Sequence, residues 1–175
     1  SSESFPDHSP LPHDAAVAFC DACAKEMIQI APPLCSRCGL PFVSQQGKGH
    51  TCEECLLEVR YYQMARAFGV YEGSLLQAIH LLKFQKKLSM ARPLADLVKR
   101  AFFRFWDKED IDVMVPVPLH IKRLRQRGFN QASLLISKWC KREGIAHDNL
   151  SLWRCRRTDP QTGLNGKERR RNLKG

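Results

Sequence analysis

The chain has 175 residues, 43% of them apolar, and a formal charge of +10. That is enough apolar material for one large or two small cored domains. No apolar run approaches the roughly 20 residues that cross a bilayer, and the polar, proline-rich start does not read as a signal peptide, so a cytoplasmic protein without a membrane span is expected.

The charge is concentrated. Residues 1–55 hold 3 Lys/Arg against 7 Asp/Glu, residues 56–119 hold 10 against 7, and residues 120–175 hold 15 against 4. A basic final third points to a polyanionic partner, nucleic acid or a phosphorylated small molecule. The plainer alternative is a solvated basic surface. These charges, however, flank turn and cap residues instead of lining one helix face.

Residues 1–19 are rich in Ser, Pro, Asp and His and read as a polar lead-in. Three Cys-x-x-Cys pairs follow: Cys20/Cys23, Cys35/Cys38 and Cys52/Cys55. A tight turn aims two such sulfurs at one ion, and two turns complete a closed tetrahedral zinc site of the structural kind. The run from Cys35 to Cys55 has the spacing of a zinc ribbon, and Gly39 suits the knuckle because glycine tolerates left-handed backbone. Disulfides are the competing use of these thiols, but nothing marks the chain as secreted. Three pairs do not divide into whole four-ligand sites, so one pair is spare or has its partner elsewhere. His50 stands near Cys52, yet four cysteines suffice without it. Cys140 and Cys155 read as ordinary thiols.

Residues 64–72 alternate and read as a strand. Gly73-Ser74 opens a helix through Leu75, Leu76, Ile79, Leu82 and Phe84. A second helix spans about Ser89 to Phe105, with Pro93 in its first turn. The run Val113–Val117 is a short apolar stretch of β-formers, typical of a parallel strand buried on both faces. A basic loop carrying Lys122, Arg123, Arg125 and Arg127 follows it. Asn130 then caps a helix that stops at Gly144. Ser151–Arg154 reads as a short strand, and Lys167–Asn172 as a possible helix start. Phe129 and Trp153 lie inside the basic segments; base stacking is open to them, although core packing is the commoner fate.

Ligands in parallel sheets sit outside the carboxyl ends of the strands, where the basic loop would lie, and arginine suits phosphate oxygens. The alternative is a basic crossover whose arginines pair with the acidic residues 107–112. Neither a P-loop nor a dinucleotide-binding glycine fingerprint is present. No catalytic carboxylate pair or Ser/His/Asp pattern rises above chance.

Several stretches in order, FCDACAKEM, CSRCGLPF, CEECL, YEG with HLLKF, VPVPLHIKRLRQRGFNQASLL and TDPQTGLNGKERRRNLKG, cover nearly the whole chain from Cys20. In these the chain resembles the ComF competence-protein family of phosphoribosyltransferase-like proteins. The resemblance implies an α/β protein. A zinc-ribbon module at 20–60 would be followed at 61–175 by a type I phosphoribosyltransferase-like domain with a parallel sheet. It further implies a pyrophosphate-binding region after Val117, with 156–174 as a hood. Family members are linked to natural transformation, in handling single-stranded DNA, or to using DNA as a nutrient. Long members carry a further Cys-x-x-Cys pair upstream, a partner for Cys20/Cys23. The family's phosphoribosyl pyrophosphate motif lies beyond the RNLK segment, so that domain is expected to be incomplete here.

The candidate residues follow. Cys20, Cys23, Cys35, Cys38, Cys52 and Cys55 are expected to hold Zn²⁺. Arg123, Arg125, Arg127, Asn130, Gln131, Arg169 and Arg170 are expected to contact phosphate or nucleic acid. The first functional expectation is a DNA-uptake protein that binds single-stranded DNA and a phosphoribosyl ligand. A phosphoribosyltransferase using phosphoribosyl pyrophosphate with Mg²⁺ is the second, and a zinc-module scaffold docking the DNA-uptake machinery is the third.

Overall fold

Helices form where apolar spacing and end signals agree. Leu75, Ala78 and Leu82 recur at helical spacing, and all three are buried on α3 (Gly73–Phe84). Leu94, Leu97 and Phe102 do the same on α4 (Ala91–Phe105). Pro93 falls in the first turn of α4, where its missing N–H costs no internal bond. A single 3₁₀ turn, Leu88–Met90, joins the two and packs on both. Each fully buried Leu or Phe contributes roughly 1.5–3 kcal/mol, so this pair of stripes is the main apolar core of its unit.

These elements belong to a computed structural model that describes residues 19–43, 49–158, 161 and 163–173. Apart from Phe19, the expected lead-in at 1–19 lies outside the described residues, as do parts of the basic tail at 156–174. The chain divides into two compact units, Ser1–Asp112 and Val113–Gly175. No described helix is long and apolar enough to cross a membrane.

In the first unit, two short helices, α1 (Asp21–Lys25) and α2 (Glu53–Leu57), precede the α3–α4 pair. Residues near Ile28 meet residues near Gly69 in a brief antiparallel contact: the Ile30 N–H donates to Phe68 O (3.1 Å) and the Val70 N–H to Ile28 O (2.8 Å). The Ser74 hydroxyl, buried at the start of α3, donates to the Glu26 carboxylate at 2.5 Å, which ties the end of α1 to α3.

The second unit holds α5 (Ile121–Arg127), α6 (Gln131–Glu143) and α7 (Gly166–Leu173). Asn130 caps α6 as its sequence suggests: Oδ1 accepts the Ala132 N–H at 3.0 Å, while Nδ2 donates to Val117 O at 3.1 Å. Gly144 ends α6 in the left-handed region. Helix α7 opens on a reciprocal capping box. The Glu168 N–H donates to Asn165 Oδ1 (3.0 Å) and the Asn165 N–H returns to the Glu168 carboxylate (2.8 Å). Trp139, Cys140 and Ile145 form the buried centre, with the Cys140 sulfur 3.2 Å from Met114 Sδ.

The expected α/β class, with its parallel sheet and type I phosphoribosyltransferase-like domain, is not what the chain forms. Among the described residues there is no strand, only three isolated bridges: Gln29 with Gly69, Leu34 with Pro41 and Met114 with His147. The run 113–117 explains why. Met114 exchanges two backbone bonds, accepting from the Asp148 N–H and donating to Ala146 O, and there the ladder stops. Val113, Val115 and Val117 stand 47, 42 and 71% exposed, so the run is not covered on both sides. β-Preference measures fit to a pleated surface supplied by neighbours; an apolar run alone does not create those neighbours. The expected strands at 64–72 and 151–154 fall for the same reason. The expected basic loop is instead the helix α5.

Candidate functional site

The first candidate site is the cysteine cluster. A hairpin turn carries Cys35 and Cys38. The Cys35 N–H donates to Leu40 O (2.8 Å), the Gly39 N–H to Cys35 O (3.0 Å) and the Phe42 N–H to Pro33 O (3.0 Å). Gly39 has φ +73°, and a Cβ there would stand 2.5 Å from Ala65 O, so only glycine fits this approach. The second knuckle is the start of α2: Cys52 is its N-cap and Cys55 lies within it. The Ser36 N–H donates to His50 O (3.0 Å), joining the two knuckles.

This folding brings the sulfurs of Cys35, Cys38, Cys52 and Cys55 within 4.8 Å of one another. Cys38 Sγ and Cys52 Sγ are 3.7 Å apart. Four thiolates at about 2.3 Å from zinc sit about 3.8 Å from each other, so the donor set fits tetrahedral Zn²⁺. Backbone N–H groups of Cys52 (3.3 Å) and Cys38 (3.4 Å) point at Cys35 Sγ. Burial pushes the Cys35 thiol up, but these donors overcome it and bring it down to about 6. Burial carries Cys38 up to about 12. With four protein ligands and three of them buried, the site has the closed form of a structural centre. Bound there, Zn²⁺ supplies folding free energy to a module with little core of its own.

Two arginines flank the cluster. Arg66 donates to Cys35 O (3.3 Å), Ala65 O (2.8 Å) and Ser36 O (3.1 Å), and its guanidinium lies 5.4 Å over the Phe105 ring. Burial lowers its pKa, while the Cys35 and Cys38 thiolates act in the other direction. Arg60 pairs with Glu54 at 2.7 Å and bonds the Cys55 side chain. Neither arginine stood out in the sequence; only the fold puts them beside four thiolates. His50 stacks on Phe42 with ring centroids 4.0 Å apart, and is not among the clustered ligands.

Cys20 and Cys23 stand apart from the four. Cys20 is the exposed N-cap of α1, and the neighbouring Cys23 backbone and thiol lower its pKa. The knuckle is formed, but among the described residues no third ligand joins it.

The second candidate site is a cavity of about 250 Å³ in the second unit. His120, Lys122, Arg123, Gln126, Arg154, Arg157 and Thr158 line it. Helix α5 supplies the first set, one turn presenting Lys122, Arg123 and Gln126. Here His120 is the N-cap, its Nδ1 accepting the Lys122 N–H at 3.3 Å. The Arg154 guanidinium donates to the Thr158 hydroxyl, which fixes the other wall. Among the described residues no carboxylate lines the cavity. The lining offers guanidinium groups, an ammonium and neutral hydrogen-bonding groups, of which the Arg154 guanidinium is held by Thr158; donors of this kind pair with anionic oxygens.

Of the expected phosphate contacts, Arg123 alone lines this cavity. Arg125 is exposed on α5. Arg127 donates to Gln131 Oε1 at 2.5 Å, joining α5 to α6, and burial followed by the Arg123 charge lowers its pKa. Asn130 serves the α6 cap. Arg169 Nε donates to Leu164 O at 2.8 Å, and Arg170 is exposed on α7. His120, Gln126 and Thr158 were not singled out from sequence. The only available signal was their position beside arginines, which does not say which side chains meet.

A family profile described as a double zinc ribbon domain matches residues 9–56. The chain is similar to the DNA utilization protein YhgH of Salmonella typhi, with 32% identity over 89% of this chain and 68% of that protein. It is 31% identical to competence protein F of Haemophilus influenzae over 93% of this chain and 70% of that one. It is 30% identical to the DNA utilization protein YhgH of Escherichia coli K12, over 89% and 68%. No solved structure matches the chain.

Proposed function

The chain belongs to the family of DNA utilization protein YhgH and competence protein F, and we propose on that footing that it serves DNA uptake by holding single-stranded DNA on the basic cavity of its second unit. The family membership bears out the resemblance carried by the motifs. The observation that carries the binding reading is the cavity lined by Lys122, Arg123, Arg154 and Arg157 with no described carboxylate. Four cations facing one space repel each other, and a polyanion relieves that repulsion. Arg125, Arg169 and Arg170 add to the long-range field that draws a strand in. The zinc ribbon supplies a rigid module for docking to other uptake proteins. On this reading the protein works in the cytoplasm, where reduced thiols remain available to metal.

The same lining suits the diphosphate of a phosphoribosyl ligand, although it offers no described carboxylate to Mg²⁺, and competition separates the two. Affinity for a fluorescent oligothymidylate is measured by anisotropy from about 50 to 200 mM salt. Neutralising about four phosphates gives a log–log slope near −3. Changing Arg123 and Arg157 together to Ala reduces that slope by about one or more. A slope near zero, or one the double variant leaves intact, overturns the proposal. Displacement of the oligonucleotide by phosphoribosyl pyrophosphate, and not by equal inorganic phosphate, assigns the cavity to the phosphoribosyl group.

A further inference from the structure

Beside the basic cavity lies a wider trough of about 730 Å³, with a mainly apolar lining that includes Ile121, Leu124, Leu150, Leu152 and Trp153. The two spaces share His120 and Arg154. Trp153 is 81% exposed, Leu150 88% and Leu152 51%. An indole left in water forgoes a large burial gain, and contiguous exposed apolar surface marks an interaction site. The other two tryptophans are placed otherwise: Trp139 is 2% exposed and donates to Leu135 O, and Trp106 stacks against Phe102.

We infer that Trp153 is a base-stacking platform, and that trough and cavity together take consecutive units of a single strand, base on the indole and phosphate on Arg154, Arg157 and Lys122. The inference rests on the DNA-binding reading above and deepens it. Charge complementarity chooses the occupant. A trough continuous with a cationic cavity that no described carboxylate lines attracts a polyanion, and a polyanion that also carries flat, apolar faces is a nucleic acid. The strand must be single, because in a duplex the base faces are stacked on each other and the indole cannot reach them. Arg154, common to both spaces, sets the register between a base and its phosphate.

The test compares an oligothymidylate with an abasic phosphodiester strand of the same length, on the whole chain. Wild type binds the thymidylate more tightly and its tryptophan emission is quenched on binding. Trp153→Ala weakens thymidylate binding on the order of tenfold. It leaves abasic binding and the salt slope unchanged and abolishes the quench. Trp153→Phe keeps most of the affinity, since any aromatic face stacks. Equal losses on both strands make Trp153 a structural residue and overturn the inference. So does unchanged thymidylate binding in Trp153→Ala; the basic cavity then stands as the DNA site without it. A change of oligomeric state in Trp153→Ala with DNA binding intact assigns the trough to a protein contact and also overturns it. If wild type binds neither strand, the DNA-binding reading itself falls.

Discussion

Gly39→Ala touches no metal ligand and is nevertheless expected to loosen the zinc site. Two terms add. The backbone at φ +73° lies in the left-handed region, where an L-residue costs about 1–2 kcal/mol. The new Cβ would also stand 2.5 Å from Ala65 O, a contact with backbone that cannot swing away. Ala65 must retreat, stretching the 2.7 Å bond from its N–H to Arg37 O, worth about 1 kcal/mol net. The sum is about 2–3 kcal/mol. The ribbon has little fold without its ion, so strain in the folded knuckle subtracts from metal affinity. That corresponds to roughly 30- to 150-fold weaker binding. Chelator competition read with a zinc indicator measures it directly. Gly128→Ala is the control: φ is +89° there, but nothing lies within 4 Å of the added carbon, and the residue belongs to the other unit. It is expected to cost stability at α5 and leave zinc affinity unchanged. A Gly39 variant that holds zinc as wild type does, or a Gly128 variant that loses it equally, refutes the close-approach argument.

Arg66→Ala removes three bonds to carbonyl groups and the contact with Phe105. A loss of about 1–3 kcal/mol in thermal stability is expected, together with faster zinc loss to chelator. Arg66→Lys does not restore it, because one ammonium cannot reproduce the guanidinium fork; full rescue by lysine would count against this role. Asp148 is held below the usual carboxylate range by the Ser151 side chain and by the Leu150 and Ser151 N–H groups. A depressed folded-state value means stabilisation that is present above the ordinary carboxyl pKa of about 3.9 and fades as pH falls through the folded value. Asp148→Asn is therefore expected to melt lower than wild type near neutral pH, with the gap closing in acid. A gap that grows on acidification would show that the charge on Asp148 is not what stabilises its turn.

The residues themselves determined whatever is encoded locally. Cys-x-x-Cys spacing marked the two-sulfur knuckles, because a tight turn converges two sulfurs whatever surrounds it; that Cys35, Cys38, Cys52 and Cys55 close one cluster without Cys20 and Cys23 was decided by the fold. Helices α3 and α4 followed from apolar residues at helical spacing, and α6 from Asn130 as a cap and Gly144 as a stop. Non-local pairing was out of reach. The run 113–117 has strand composition, but a ladder depends on residues far along the chain, and among the described residues none pairs with it beyond the Met114–His147 bridge. The same limit governs the sites. Arg66 beside the thiolates, Arg154 and Arg157 facing Lys122 and Arg123, and Trp153 left in solvent all depend on how distant segments are brought together. Spacing along the chain names the chemical groups; only the tertiary structure decides which of them share a space.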